Sequence, residues 1–286
     1  MPLGADVSAW MAQKAAPLTV RYGRRLYFSG QDLPRPATLK VPTRHGTVRC
    51  QVYAPPEASG SYVHLHGGAF FMRYPKMDDW FCRIVADEVG ATVVNVDYDV
   101  APQVRYPVAQ EQAHDVLAHV AEHGDGRVTV GGFSAGGNLA ASAALQARDR
   151  ASCAPLLQLL GVPTLDVAGD PATKASVITN PIITPGLLQL VRRTYFRDEE
   201  RRGEPYASPL LADWLSGVAP ALVITAEYDR LRDDGDEYAA RLADAGVPVE
   251  HLVVPTADHY FLEGGRGPAR QVIDVMVHAL RTALGN

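Results

Sequence analysis

Residues 131–137 read Gly-Gly-Phe-Ser-Ala-Gly-Gly, four glycines and an alanine crowded around Ser134. Either this is an ordinary loop, or Ser134 sits on a turn too sharp for larger neighbours. The flanks bear on the choice. Upstream, residues 127–130 (Arg-Val-Thr-Val) are β-branched and apolar and predict a strand. Downstream, residues 138–149 are rich in Ala and Leu and predict a helix. Strand, Gly-x-Ser-x-Gly, helix is the setting of a nucleophile held on a tight turn, with Gly132, Gly136 and Gly137 giving it room. The helix that follows points its positive end toward the serine.

Working outward, the strand–helix pattern repeats. Apolar runs at 62–67, 92–98, 127–132, 156–162, 221–227 and 250–255 predict strands. Helical patterns fall at 78–89, 107–123, 138–148, 185–196, 233–245 and 268–284. The strands are apolar on both faces, as strands covered by helices on two sides should be. This alternation predicts an α/β fold with a mainly parallel sheet. Residues 37–43 and 47–53, separated by Arg-His-Gly, predict an antiparallel hairpin at one sheet edge. Two segments break the alternation: residues 1–36, with a helical stretch near 5–15, and residues 166–215. Insertions this long tend to be functional. Both are expected to form a cap over one end of the sheet within a single domain spanning 1–286.

Bulk properties narrow the class. The chain has 286 residues, 47% hydrophobic and 21% charged, with a net charge of -5 and no basic stripe. Nucleic-acid binding therefore has little support. Cys50, Cys82 and Cys153 are odd in number and form no Cys-x-x-Cys pair, so free thiols are expected, and no metal site. The N-terminal stretch lacks a basic segment followed by an apolar run, and no run of 18 apolar residues occurs. The expectation is a cytoplasmic protein without signal peptide or membrane span.

A serine nucleophile needs oxyanion donors, a base and an orienting carboxylate. The stretch His-Leu-His-Gly-Gly-Ala-Phe-Phe (64–71) leaves a predicted strand at its carboxyl end, where α/β sheets bind ligands. The N–H groups of Gly67 and Gly68, with that of Ala135, are the candidate oxyanion hole, and His66 is expected to orient the loop. Of nine histidines, His114, His119 and His123 share one helix, His45 lies in the hairpin turn, His64 and His251 lie inside strands, and His278 lies in the last helix. His259, in the loop after the last strand, is the candidate base. Asp229 lies just past the strand at 221–227 and is the candidate carboxylate. Asp233, Asp234 and Asp236 suit the start of the next helix. The order Ser134, Asp229, His259 is that of an α/β-hydrolase.

With these residues in place, the chain resembles the hormone-sensitive-lipase family of α/β-hydrolases, particularly its bacterial esterases, from about residue 37 onward. His-Gly-Gly-Ala-Phe (66–70) resembles the family's His-Gly-Gly-Gly-[Phe/Trp] motif. Residues 96–107 resemble its Asp-Tyr-Arg-Leu-Ala-Pro-Glu…Pro block, and residues 131–140 its Gly-Asp-Ser-Ala-Gly-Gly-Asn-Leu-Ala. Residues 227–235 and 258–261 resemble its Asp-Pro-Leu-Arg-Asp and His-Gly-Phe blocks. The resemblance implies the α/β-hydrolase fold: about eight mostly parallel strands, helices on both faces and a helical cap. It also implies hydrolysis of short- to medium-chain acyl esters through an acyl-enzyme, and no cofactor. Departures are Ala69 for the third glycine, Phe133 for Asp, Asp99 and Gln103 for Arg and Glu, and Tyr260 for Gly. They bear on acyl and alcohol preference. Phe70, Phe71, Phe133 and Tyr260 are candidate pocket walls. The expected partner is a small-molecule ester, and a homodimer is allowed. Two alternatives stay open: an N-acyl or formamide hydrolase or small-metabolite deacetylase using the same triad, and a non-catalytic binding protein of this fold.

Overall fold

The computed structural model describes residues 3–20, 24–263 and 265–285. Its centre is one sheet of eight strands in the order β1-β2-β4-β3-β5-β6-β7-β8. The hairpin β1 (Ala37–Thr43) and β2 (Gly46–Tyr53) forms one edge, and β2 runs antiparallel to β4 (Thr92–Asp97). From β4 onward all pairings are parallel: β3 (Ser61–Leu65), β5 (Val128–Phe133), β6 (Gln158–Gly161), β7 (Ala221–Ala226) and β8 (Val249–Val254).

Burial explains the composition of the strands. Every residue of β5, β6 and β7 is buried, so these strands read as continuous apolar runs, whereas edge strand β8 carries exposed Glu250 and His251. Helices cover both faces. On one side lie α3 (Val108–His123), α4 (Ala135–Arg150) and α6 (Arg232–Asp244), packed in one apolar cluster with Val116, Leu139 and Leu242. On the other lie α2 (Asp79–Ile84) and α7 (Arg266–Leu284), whose Trp80, Phe81, Ile273 and Met276 join a second cluster. Helix α4 is buried from Ala135 to Ala147, which accounts for its many alanines: small side chains let it lie close to the sheet and to α3.

The helix expected over 78–89 is broken: α2 is short, preceded by a 3-10 turn at Pro75–Asp78 and followed by a π-turn at Val85–Val89. The N-terminal helix is longer than expected, α1 (Leu3–Thr19), and lies against α5 (Pro185–Thr194), the one α-helix within residues 166–215. All three cysteines are free. Burial pushes the Cys50 thiol up to about 12, which keeps it protonated and inert. Among the described residues, no helix is long and apolar enough to cross a membrane.

Candidate active site

Ser134 lies between β5 and α4 with φ 56° and ψ -116°. A non-glycine residue at such a φ is strained and persists only where its surroundings hold it. The surroundings here are backbone. A Cβ on Gly132 would come within 2.2 Å of the Leu65 carbonyl oxygen, and one on Gly136 within 1.9 Å of the same atom. A Cβ on Gly137 would meet Pro163 at 2.8 Å. The glycines are therefore a requirement of close chain approach between β3, β5 and α4. Ser134 N–H donates to Gly161 O at 2.8 Å, tying the turn to β6.

The three residues singled out for a triad meet. His259 Nε2 lies 2.9 Å from Ser134 Oγ, and His259 Nδ1 lies 2.7 Å from Asp229 Oδ2. Asp229 follows β7, where the Leu231 N–H donates to its Oδ1 at 3.1 Å. Both carboxylate oxygens are thus engaged, and the side chain is buried. Asp258, which the sequence reading did not single out, fixes the loop carrying His259. Its Oδ1 accepts from the His259 N–H at 2.8 Å and its Oδ2 from the Ile182 N–H at 2.7 Å.

The glycine loop after β3 reaches the same place. A Cβ on Gly67 would be 3.3 Å from Phe133 O and 3.8 Å from the Ser134 Cβ. Gly68 has φ 119°, and a Cβ there would lie 2.8 Å from that of Met72. Among the described residues, the N–H groups of Gly67, Gly68 and Ala135 have no acceptor, so they can serve a substrate oxygen. His66 braces this loop: its Nδ1 lies 2.6 Å from Gly67 O, and its ring stacks on Tyr98 at 4.4 Å. Burial pushes the His66 imidazole down to about 4, so it stays neutral.

Two pockets meet at Ser134. One, of about 790 Å³ including its mouth, is walled by Met72, Met77, Trp80, Phe133, Phe261 and Leu262, with Asp78 the buried carboxylate outside the triad. The other, of about 460 Å³, lies under Val167, Leu188, Val191 and Leu231. Of the candidate walls, Phe133 and Tyr260 line the first pocket and Phe70 lines the second. Phe71 lines neither; it is 1% exposed and packs in the core cluster. Phe70 is wedged between Tyr195, stacked at 5.1 Å, and Phe196, edge-on at 4.9 Å. Ala69, at φ 52°, borders both pockets. Asp99 pairs with Arg73 at 2.9 Å, and Gln103 bonds Gln13 of α1 at 3.1 Å. Of the acidic residues at the start of α6, Asp234 is buried and accepts from the Leu165 and Asp166 N–H groups while pairing with Lys174. It anchors the 166–215 segment, a contact that sequence position does not reveal.

The chain is similar to known proteins. A family model described as the alpha/beta hydrolase fold matches residues 62–263. An arylesterase of Saccharolobus solfataricus is 31% identical over 255 residues, 85% of this chain and 81% of that protein. An ethyl acetate hydrolase of Pseudomonas putida is 32% identical over 240 residues, 79% and 76% of the two chains. The solved esterase of Pyrobaculum calidifontis superposes with a TM-score of 0.85 at 33% identity, over 97% of this chain and 92% of that one. The chain belongs to the alpha/beta hydrolase fold family, among its hormone-sensitive-lipase-like carboxylic ester hydrolases.

Proposed function

We propose that Ser134 is the nucleophile of a serine carboxylesterase acting on short- to medium-chain acyl esters. The observation that carries this reading is the unbroken chain Asp229–His259–Ser134, with contacts of 2.7 and 2.9 Å, at the junction of two apolar pockets. Ser134 Oγ attacks the ester carbonyl as His259 Nε2 takes its proton. Asp229 accepts from His259 Nδ1–H, holding the tautomer that leaves Nε2 free and stabilising the imidazolium that forms. The carbonyl oxygen becomes an oxyanion beside the N–H groups of Gly67, Gly68 and Ala135. His259 returns the proton to the departing alkoxide, and the acyl-Ser134 ester remains. Water, deprotonated by the same imidazole, then releases the acid. The acyl chain and the alcohol occupy one pocket each, walled by Phe70 in one and by Phe133 and Tyr260 in the other.

The relatives' names favour the ester over the amide bond. Three free cysteines support a cytoplasmic location. Exposed Trp10, Met11 and Leu18 on α1 are the surface a second copy would cover in a homodimer, which light scattering checks. The decisive experiment is a chain-length series of p-nitrophenyl esters beside matching anilides. Acetate to hexanoate esters are expected to turn over, the anilides far more slowly. Ser134→Ala should lower kcat by about 10⁴-fold or more with the fold intact. A folded Ser134→Ala protein with undiminished turnover would refute the assignment.

A further inference from the structure

A second buried chain of polar groups runs into the same pocket from the other side. Tyr62 and His64 lie on β3, and Asp78 lies just before α2. His64 Nδ1 is 3.1 Å from the Tyr62 hydroxyl, and His64 Nε2 is 3.0 Å from Asp78 Oδ2. Tyr62 and His64 are 0% exposed and Asp78 is 1% exposed.

The protons in this chain can be placed. Burial raises the Tyr62 phenol well above its ordinary value, so it keeps its proton. Its hydrogen-bond partner among the described residues is His64 Nδ1. Donating there satisfies the phenol and leaves His64 Nε2–H to donate to Asp78. Among the described residues, His64 Nε2 is the one hydrogen-bond donor to the Asp78 carboxylate. Its Oδ1 makes no hydrogen bond among the described residues, and Asp78 lines the pocket. No Lys or Arg lines that pocket among the described residues. A buried carboxylate with so little compensation needs a partner. Beside it stand aromatic faces: Trp80 and Phe133 lie parallel, 6.1 Å apart, and Phe133 meets the His64 ring edge-on at 5.5 Å.

We propose that this pocket is a subsite for a cationic group, a quaternary or protonated amine carried by the ester, with Asp78 as its counter-ion and Trp80 and Phe133 as its π-walls. Aromatic faces beside a desolvated carboxylate favour an alkylammonium over an uncharged group of the same shape. The carboxylate of the second pocket, Asp166, is already engaged: it accepts from the Ala168 and Gly169 N–H groups and lies 4.0 Å from Lys174. The substrate class depends on ester hydrolysis at Ser134, but the ammonium subsite can be read by binding alone.

The test is calorimetric titration of the whole protein with choline and with its uncharged isostere, 3,3-dimethylbutan-1-ol. The wild-type chain is expected to bind the cation about tenfold more tightly. In Asp78→Asn, whose amide oxygen still accepts from His64, that preference should vanish. A wild-type protein that binds the isostere as tightly as choline overturns the proposal. So does a cation preference that survives in Asp78→Asn. If that variant does not fold, the wild-type ligand pair decides. Turnover of p-nitrophenyl acetate in the same preparation reports on Ser134 separately: turnover lost with the choline preference kept would sink the esterase reading and leave the subsite standing.

Discussion

Ser134 holds a backbone conformation that costs of order 1–3 kcal/mol and is enforced by the Leu65 carbonyl oxygen pressing on Gly132 and Gly136. That strain aims Oγ at His259 in place of the sheet interior. On the opposite side of the imidazole, Asp229 matters by position as much as by charge. With Oδ1 held by the Leu231 N–H, only Oδ2 faces Nδ1. Asp229→Asn should therefore keep the side chain in place while stabilising the wrong tautomer of His259. Its kcat is expected to fall by about 10⁴-fold with KM little changed, as in other serine triads. Steady-state kinetics on a p-nitrophenyl ester, with unchanged thermal unfolding, checks this.

Among the elements, the β1–β2 hairpin shows how an edge is held down. Arg44 in its turn pairs with Asp115 and Glu111 of α3, and His45 bonds Glu111 at 2.5 Å. Burial alone would raise the Asp115 carboxyl, but hydrogen bonds from His114 and Arg44 outweigh it and hold the group well below the usual carboxylate range. A carboxylate depressed in the folded state stabilises above its unfolded value, near pH ~3.9, and loses that contribution as pH falls through its folded value. Arg44→Ala removes the main charged partner. The wild-type protein should then lose stability more steeply than the variant from about pH 4 downward. Urea midpoints measured between pH 6 and pH 2.5 would show the two curves converging. Parallel curves would mean the hairpin contact carries no acid sensitivity.

For the whole molecule, the question is how α1 and the 166–215 segment sit over the pockets. Asp6 of α1 accepts from Arg105 at 3.0 and 3.1 Å and from Arg197, just past α5, at 3.1 Å. Val20, after α1, and Ile182, Ile183 and Leu187 border the pocket holding Asp78. We read these pieces as a cap closing over Ser134. The Asp6 pairs are partly exposed, so Asp6→Asn should change stability by no more than about 1 kcal/mol. Its signature is kinetic: KM for a hexanoate ester is expected to rise by up to about fivefold with kcat nearly unchanged. High salt, which screens the wild-type pairs, should narrow the gap. Equal KM values at low salt would show that α1 does not shape the pocket.

The α/β alternation, the edge hairpin and the residues of the Ser–His–Asp chain are all legible in the sequence, because each depends on local chemistry. Strand runs are apolar on both faces, glycines flank a serine, and polar residues end strands. What the chain order could not show is which distant side chains complete these parts. Asp258 steadies the His259 loop by reaching Ile182, 76 positions away. Asp234 does start a helix, as its sequence position suggests, but it also clamps the segment after β6. Phe70 and Phe71 are adjacent and alike in sequence and both pack in the core cluster, yet Phe70 also borders a pocket and Phe71 does not. His64 reads as a strand residue and Asp78 as a helix flank, until the fold joins them beside Phe133. Local pattern determined the elements and the chemistry each could bring. Tertiary packing alone decided which groups share a low-dielectric pocket, since burial and partnership arise only when segments far apart in the chain exclude water together.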